Sequence, residues 1–152
     1  MSKPPKIIII TGAESTGKST LAESLGQYFN VPVIPEFARE YVEQLNRAYK
    51  YSDVEIIARK QVEQLHAAKK QNHPVIFVDT WLIISKVWFE MVFERVPTWM
   101  ENEIQTSQID LFLVCDIDLP WIPDSVRENG GKKRRILQNM YIDNIKKYNF
   151  TY

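Results

Sequence analysis

Lys6-Ile7-Ile8-Ile9-Ile10-Thr11-Gly12-Ala13-Glu14-Ser15-Thr16-Gly17-Lys18-Ser19-Thr20 is the stretch that decides the fold. Its run of isoleucines is fully apolar and β-branched, the pattern of a strand buried on both faces. Gly12 to Ser19 then fits G-x-x-x-x-G-K-[ST], the Walker A pattern, and Leu21, Leu25, Tyr28 and Phe29 recur at helical spacing. Strand, glycine loop and helix stand in the order the motif requires. In that geometry successive backbone N–H groups converge on phosphate oxygens, and the positive end of the helix starting near Lys18 faces the same anion. The expected ATP-binding segment is Gly12, Ala13, Glu14, Ser15, Thr16, Gly17, Lys18, Ser19 and Thr20. Lys18 should reach the β- and γ-phosphates and Ser19 should ligate Mg²⁺, while Thr20, one residue further, more often packs or caps.

Outward from this loop, residues 31–34 make a short strand closed by Pro35, and residues 37–45 repeat at helical period. Ser52 with Glu55 reads as a capping box that opens a helix reaching about residue 70. Residues 75–78 are an apolar, β-rich run ending on Asp79, and residues 80–94 form an aromatic-rich helix. Thr98 with Glu101 offers a second capping box. Residues 111–114 are the last clear strand, followed by a polar loop over 116–131 and a helix over about 132–148. This alternation predicts an α/β layer fold with a parallel sheet and right-handed crossovers. A length of 152 residues fits a single domain, 1–152. The chain stops at Phe150-Thr151-Tyr152, a β-favouring run just after a helix, where such a fold begins another strand. A C-terminal truncation that removes the last strand and helix is therefore expected.

Nineteen basic residues balance nineteen acidic ones, so bulk electrostatics favours neither nucleic acid nor a membrane surface as a partner. Phosphate recognition must be local. The single cysteine, Cys115, excludes an internal disulfide, and the N-terminus lacks the pattern of a signal peptide. No segment reaches the roughly 18–20 continuous apolar residues of a membrane span, so a cytoplasmic, soluble protein is expected. His66 and His73 are isolated, which leaves no zinc-ligand spacing.

Asp79 ends an apolar strand, where P-loop proteins commonly place a carboxylate near the metal; an N-cap for the next helix is the competing role. Glu36 ends the short second strand, where a nucleoside 5′-hydroxyl could meet it, or it serves the dipole of the next helix as a first-turn acid. Either of the two carboxylates could accept the hydroxyl proton. Arg127, Lys132, Lys133, Arg134 and Arg135 surround Gly130-Gly131, and cations at a helix start are disfavoured unless an anion is close. A lid over about residues 120–135, with Arg127 and Arg135 as its phosphate contacts, would supply that anion and exclude water. Among the tryptophans, Trp121 stands out because it lies in a polar loop between Pro120 and Pro123 rather than in an apolar run.

With Gly-Ala-Glu-Ser-Thr-Gly-Lys-Ser-Thr, Pro35-Glu36-Phe37-Ala38-Arg39-Glu40-Tyr41, Val78-Asp79-Thr80 and Pro120-Trp121-Ile122-Pro123-Asp124-Ser125-Val126-Arg127 in view, the chain resembles the ribosylnicotinamide kinase domain of NadR-type proteins over nearly its whole length. The resemblance implies a P-loop kinase-like, three-layer fold. It implies use of ATP and Mg²⁺ to phosphorylate the ribose 5′-hydroxyl of nicotinamide riboside, giving nicotinamide mononucleotide in NAD salvage. The site it implies is the P-loop with Glu36, Arg39, Asp79, Trp121, Asp124 and Arg127. Trp81 stands where some members carry a second aspartate, which implies altered substrate polarity. Ser125 stands where glycine is usual, which implies a stiffer lid.

Small molecules, a nucleoside and ATP, are thus the expected partners. An ATP-binding regulatory or switch module and a kinase for another nucleoside are the alternatives. ADP release that needs an acceptor marks a kinase.

Overall fold

Alternation along β1 (Lys6–Thr11) sorts its side chains into two cores. Ile7 and Ile9 join one buried cluster and Ile10 the other, as a strand period of two demands. A computed structural model describes residues 3–124 and 126–152. After β1 come α1 (Lys18–Phe29), β2 (Val33–Ile34), α2 (Phe37–Gln44), α3 (Tyr51–Lys69), β3 (Val75–Asp79), α4 (Leu82–Trp88), α5 (Thr98–Thr106), β4 (Leu111–Val114) and α6 (Lys132–Lys147). The sheet is parallel with order β2-β3-β1-β4, so the isoleucine strand is central as expected.

Ala22, Leu21 and Leu25 of α1 pack with Ile10 and Phe77 on one face of the sheet. The other face carries the larger core, where α3, α4, α5 and α6 bury Val54, Leu82, Met100 and Ile145. Helix, sheet and helices make the expected three layers. Phe112 of β4 donates its N–H to the Thr151 carbonyl at 2.8 Å, and Phe150 packs against Phe112 and Trp81. No helix among the described residues is long and apolar enough to cross a membrane.

Three local expectations are corrected. The acceptor at the start of α3 is Asp53 and not Glu55: Asp53 takes the Lys50 N–H at 2.7 Å, and Glu55 instead takes Arg59 and the Trp99 indole. Thr98 is the first residue of α5 rather than its cap, and Glu101 accepts from the Tyr148 hydroxyl and from Gln105. The helix expected over 80–94 starts only at Leu82 and passes after Trp88 into a π-helical segment, Phe89–Phe93. Such segments are rare and re-aim side chains. Here the segment carries Met91 and Val92 to the wall of the main cleft.

Candidate active site

Every strand points its C-terminal end toward one edge of the sheet, where open α/β sheets place their ligands. The P-loop leaves β1 at that edge. Gly12 has φ +139°, and a Cβ there would lie 2.7 Å from the Cys115 carbonyl oxygen, so only glycine fits. Gly17 (φ +83°) caps α1 and offers no side chain to its first N–H groups, which leaves the helix terminus available to an anion. The Lys18 ammonium donates to the Ala13 carbonyl at 2.8 Å, and Thr16 Oγ1 donates to the same oxygen at 2.8 Å. Burial lowers the Lys18 pKa, against the upward pull of Glu36 and Asp79.

The Ser19 hydroxyl donates to Asp79 Oδ2 at 2.6 Å. This pair joins the P-loop helix to the end of β3. Among the described residues no three His, Cys, Asp or Glu side chains could hold a metal by themselves. A hydroxyl and a carboxylate in contact are nevertheless the hard oxygen donors that suit Mg²⁺, which keeps water and phosphate oxygens as its other ligands. Asp79 makes no capping bond to α4, whose cap is Trp81.

Glu36 caps α2 without a side-chain capping bond, and its carboxylate lines the cleft. Burial raises its pKa, with Lys18 opposing. Arg39, from the first turn of α2, also lines the cleft and donates to Asp124 Oδ2 at 2.7 Å. Asp124 is pulled in opposite directions: burial acts to raise its pKa, but the N–H groups of Val126 and Arg127 and the Arg39 guanidinium hold it down at about 2. Arg127 donates to the Ile122 carbonyl at 2.8 Å and borders the cleft.

The loop between β4 and α6 lies on the P-loop. Glu14 accepts from the Trp121 indole at 2.8 Å, from the Glu128 and Asn129 N–H groups at 3.3 and 3.0 Å, and from Asn129 Nδ2 at 3.1 Å. Ser15 Oγ accepts the Ile122 N–H at 3.0 Å. Gln138 of α6 accepts the Ala13 N–H at 2.7 Å and donates to the Cys115 carbonyl at 2.8 Å, so that P-loop donor is already engaged.

The cleft holds about 1000 Å³, open solvent at its mouth included. Gly12, Glu14, Lys18, Glu36, Arg39 and Arg127 line it. Asp79 stands behind, on Ser19, and Thr20 is exposed on α1. Trp121, Asp124 and Arg135 are not on the cleft wall. Trp121 commits its N–H to Glu14, and one ring face covers Gly130, where a Cβ would come within 2.9 Å. The cation that enters from the start of α6 is Lys133, whereas Arg134 is buried and donates to the Leu119 carbonyl. That carbonyl gives one cation of the basic run a partner within the chain. Trp81 is 2% exposed in the core among Phe112 and Phe150, so its effect on substrate polarity is not direct. The role expected of Ser125 lies outside the described residues.

Sequence reasoning missed the aromatic wall. Trp88 and Tyr49 line the cleft in an edge-on pair 4.9 Å apart, and the Tyr49 hydroxyl donates to Glu128 at 2.7 Å. Burial and this bond push the Tyr49 pKa up to about 12. The periodicity of α4 marks Trp88 only as apolar, and nothing in the sequence distinguishes a cleft wall from a core.

A family model described as an AAA domain matches residues 7–152. The chain is 28% identical to the trifunctional NAD biosynthesis/regulator protein NadR of Salmonella typhimurium, over 97% of its own length and 37% of that protein. Crystal structures of a NadR protein, one in complex with NR and one with NAD and AMP-PNP, superpose with TM-scores of 0.76 and 0.78. They cover 95% of this chain and 42% and 41% of theirs, at 23% and 24% identity. Thymidylate kinase from Ehrlichia chaffeensis shares the fold at a TM-score of 0.63 and 14% identity, over 98% of this chain and 85% of that one. The family match takes in the whole described sheet apart from Lys6 and every described helix, so the chain belongs to the AAA domain family, as a homologue of the NadR proteins.

Proposed function

We propose that this protein is an ATP-dependent kinase that phosphorylates the ribose 5′-hydroxyl of nicotinamide riboside, yielding nicotinamide mononucleotide for NAD synthesis. The observation that carries the proposal is the Ser19–Asp79 bond of 2.6 Å, which gathers a P-loop hydroxyl and a strand-end carboxylate behind a cleft lined by Lys18 and Glu36. The similarity to a NAD biosynthesis/regulator protein and a neighbour bound to NR support the substrate. So does the chemistry of the cleft. Trp88 and Tyr49 offer aromatic edges and faces, and Glu36 and Glu128 offer negative charge, a setting that favours a cationic base by roughly 0.5–2 kcal/mol per aromatic contact.

Glu36 is the base in this scheme. It borders the cleft with no hydrogen-bond partner among the described residues, and its burial-raised pKa brings it nearer to the acceptor's needs at neutral pH. Asp79 is engaged by Ser19, and together they would hold Mg²⁺, whose chemistry is to neutralise phosphate charge. Lys18 and the N-terminus of α1 bind and orient the phosphates, Arg39 and Arg127 frame the acceptor side, and the loop over residues 119–131 keeps water out.

The test is ADP release from ATP and Mg²⁺ with and without nicotinamide riboside, with the product identified by mass spectrometry. Acceptor-dependent ADP and a phosphorylated riboside are expected. Equal release without acceptor would make the protein a nucleotide switch, and preference for an uncharged nucleoside would assign it another substrate.

A further inference from the structure

Gln61 of α3 is 4% exposed and Ser85 of α4 is 2% exposed, yet both line the cleft. The Ser85 hydroxyl donates to Gln61 Oε1 at 2.9 Å. That bond engages the acceptor end of the amide and leaves the donor end, Nε2, without an acceptor among the described residues. Nε2 is not one of the sealed orphan atoms, such as Trp88 Nε1 and Trp81 Nε1, so it faces the open space of the cleft. Ile84, Trp88, Leu137 and Tyr141 line the same cleft, and of these only Tyr141 carries a side-chain oxygen. An amide donor that opens into a cleft is satisfied by water, and a ligand that displaces this water must accept from the donor in its place or leave it unpaired.

The position of this donor says which part of a ligand it meets. Ser85 and Trp88 are three residues apart and so adjacent on one face of α4. The amide, held by Ser85, therefore shares a stretch of cleft wall with Trp88. A flat ring settling beside Trp88 would have its substituents within reach of that wall.

Resting on the nucleoside-kinase function above, we propose that Gln61 is a specificity-determining residue of the acceptor subsite. Its Nε2 donates to an acyl oxygen carried by the nucleoside base, and Ser85 is the positioning residue that holds the amide in that orientation. A base that presents an acyl oxygen there, as a ring carboxamide does, is selected over one that presents nothing or an amino group. A site built around a buried donor discriminates strongly because the wrong ligand leaves that donor unpaired.

The experiment compares kcat/KM for nicotinamide riboside with that for the pyridine riboside, which keeps sugar and cation but lacks the carboxamide. A second pair, uridine and cytidine, exchanges an acyl oxygen for an amino group at one ring position and is read as binding by calorimetry. The wild type should favour nicotinamide riboside over the pyridine riboside, and uridine, with its C4 oxygen, over cytidine, by about tenfold; Gln61→Leu should bring both ratios near one, and Ser85→Ala should fall between. Circular dichroism confirms folding, and if Gln61→Leu does not fold, Ser85→Ala alone carries the same prediction. An unchanged ratio in a folded variant overturns the proposal. So does a wild type with no preference in either pair. Failure to phosphorylate either riboside while the uridine preference persists and responds to Gln61→Leu overturns the kinase substrate and leaves the role of Gln61 standing.

Discussion

The indole N–H of Trp121 donates to the Glu14 carboxylate at 2.8 Å across 107 residues of sequence, joining the P-loop to the loop that follows β4. Glu14 gathers three further donors from Glu128 and Asn129, so one P-loop side chain holds both ends of that loop. A carboxylate among N–H donors is a stronger partner than a neutral amide.

Glu14→Gln should therefore loosen the loop without disturbing the core. Losing about 1–2 kcal/mol of charge-assisted bonding corresponds to roughly five- to thirtyfold faster amide exchange at residues 121–131. Hydrogen exchange by mass spectrometry checks this, and unchanged protection would show that Arg39–Asp124 and Tyr49–Glu128 suffice to hold the loop.

Lys18 sits half-buried on the cleft wall with its ammonium on the Ala13 carbonyl. Lys18→Ala should keep the melting profile close to that of the wild type and reduce phosphoryl transfer on the order of a hundredfold or more. Near-normal turnover would remove Lys18 from the transition state.

Glu36 and Asp79 separate by pH. A base acts when ionised, and burial raises the Glu36 pKa, so kcat/KM should rise with pH through a limb lying above the ordinary glutamate value of about 4.3. Glu36→Gln should abolish that limb and lower kcat and kcat/KM together, by roughly a hundredfold to ten-thousandfold. Asp79→Asn should retain the limb and raise the Mg²⁺ concentration needed for half-maximal rate. A limb that survives Glu36→Gln places the base elsewhere.

Asp53 fixes the segment that carries Tyr49 to the cleft. It accepts from Arg47 at 2.7 and 3.0 Å, from the Lys50 N–H at 2.7 Å and from the Tyr41 hydroxyl at 2.8 Å, and these bonds, Arg47 first, hold its pKa below the carboxylate range. A depressed folded pKa contributes stability above the unfolded value of about 4 and loses it as pH falls further. Asp53→Asn keeps an oxygen acceptor but loses the charge that faces Arg47. It should therefore be less stable than the wild type by about 1 kcal/mol at pH 7, the scale by which a charge-assisted bond exceeds a neutral one, and the gap should close toward pH 3. Urea titrations at the two pH values measure it; a constant gap would mean that charge plays no part.

Much of this protein is written in local pattern. The isoleucine strand, the glycine loop and the amphipathic helix after it follow from period-two and period-3.6 burial and from a spacing that few other structures tolerate, and the strands ending on Asp79 and Val114 were legible for the same reason. Glu36 and Asp79 could be picked out as strand-end carboxylates, but not which of them faces the cleft. Capping shows the limit of local pattern. Glu55 and Glu101 have the right spacing from Ser52 and Thr98, yet Trp99 and Tyr148 claim them from other helices, and Asp53 caps instead.

What only the tertiary structure decided is the aromatic wall of the cleft and the seat of the loop. Tyr49, Gln61, Ser85, Trp88 and Tyr141 come from four separate segments, and in sequence each is an ordinary helix or loop residue. Trp121 has its polar surroundings in sequence, but its N–H donates to Glu14, a carboxylate distant along the chain that only the fold brings to it. Periodicity records whether a side chain leaves water. It does not record whether the space it then faces is filled by another element of the chain or left open for a ligand, because that depends on how helices from distant parts of the sequence meet over the sheet.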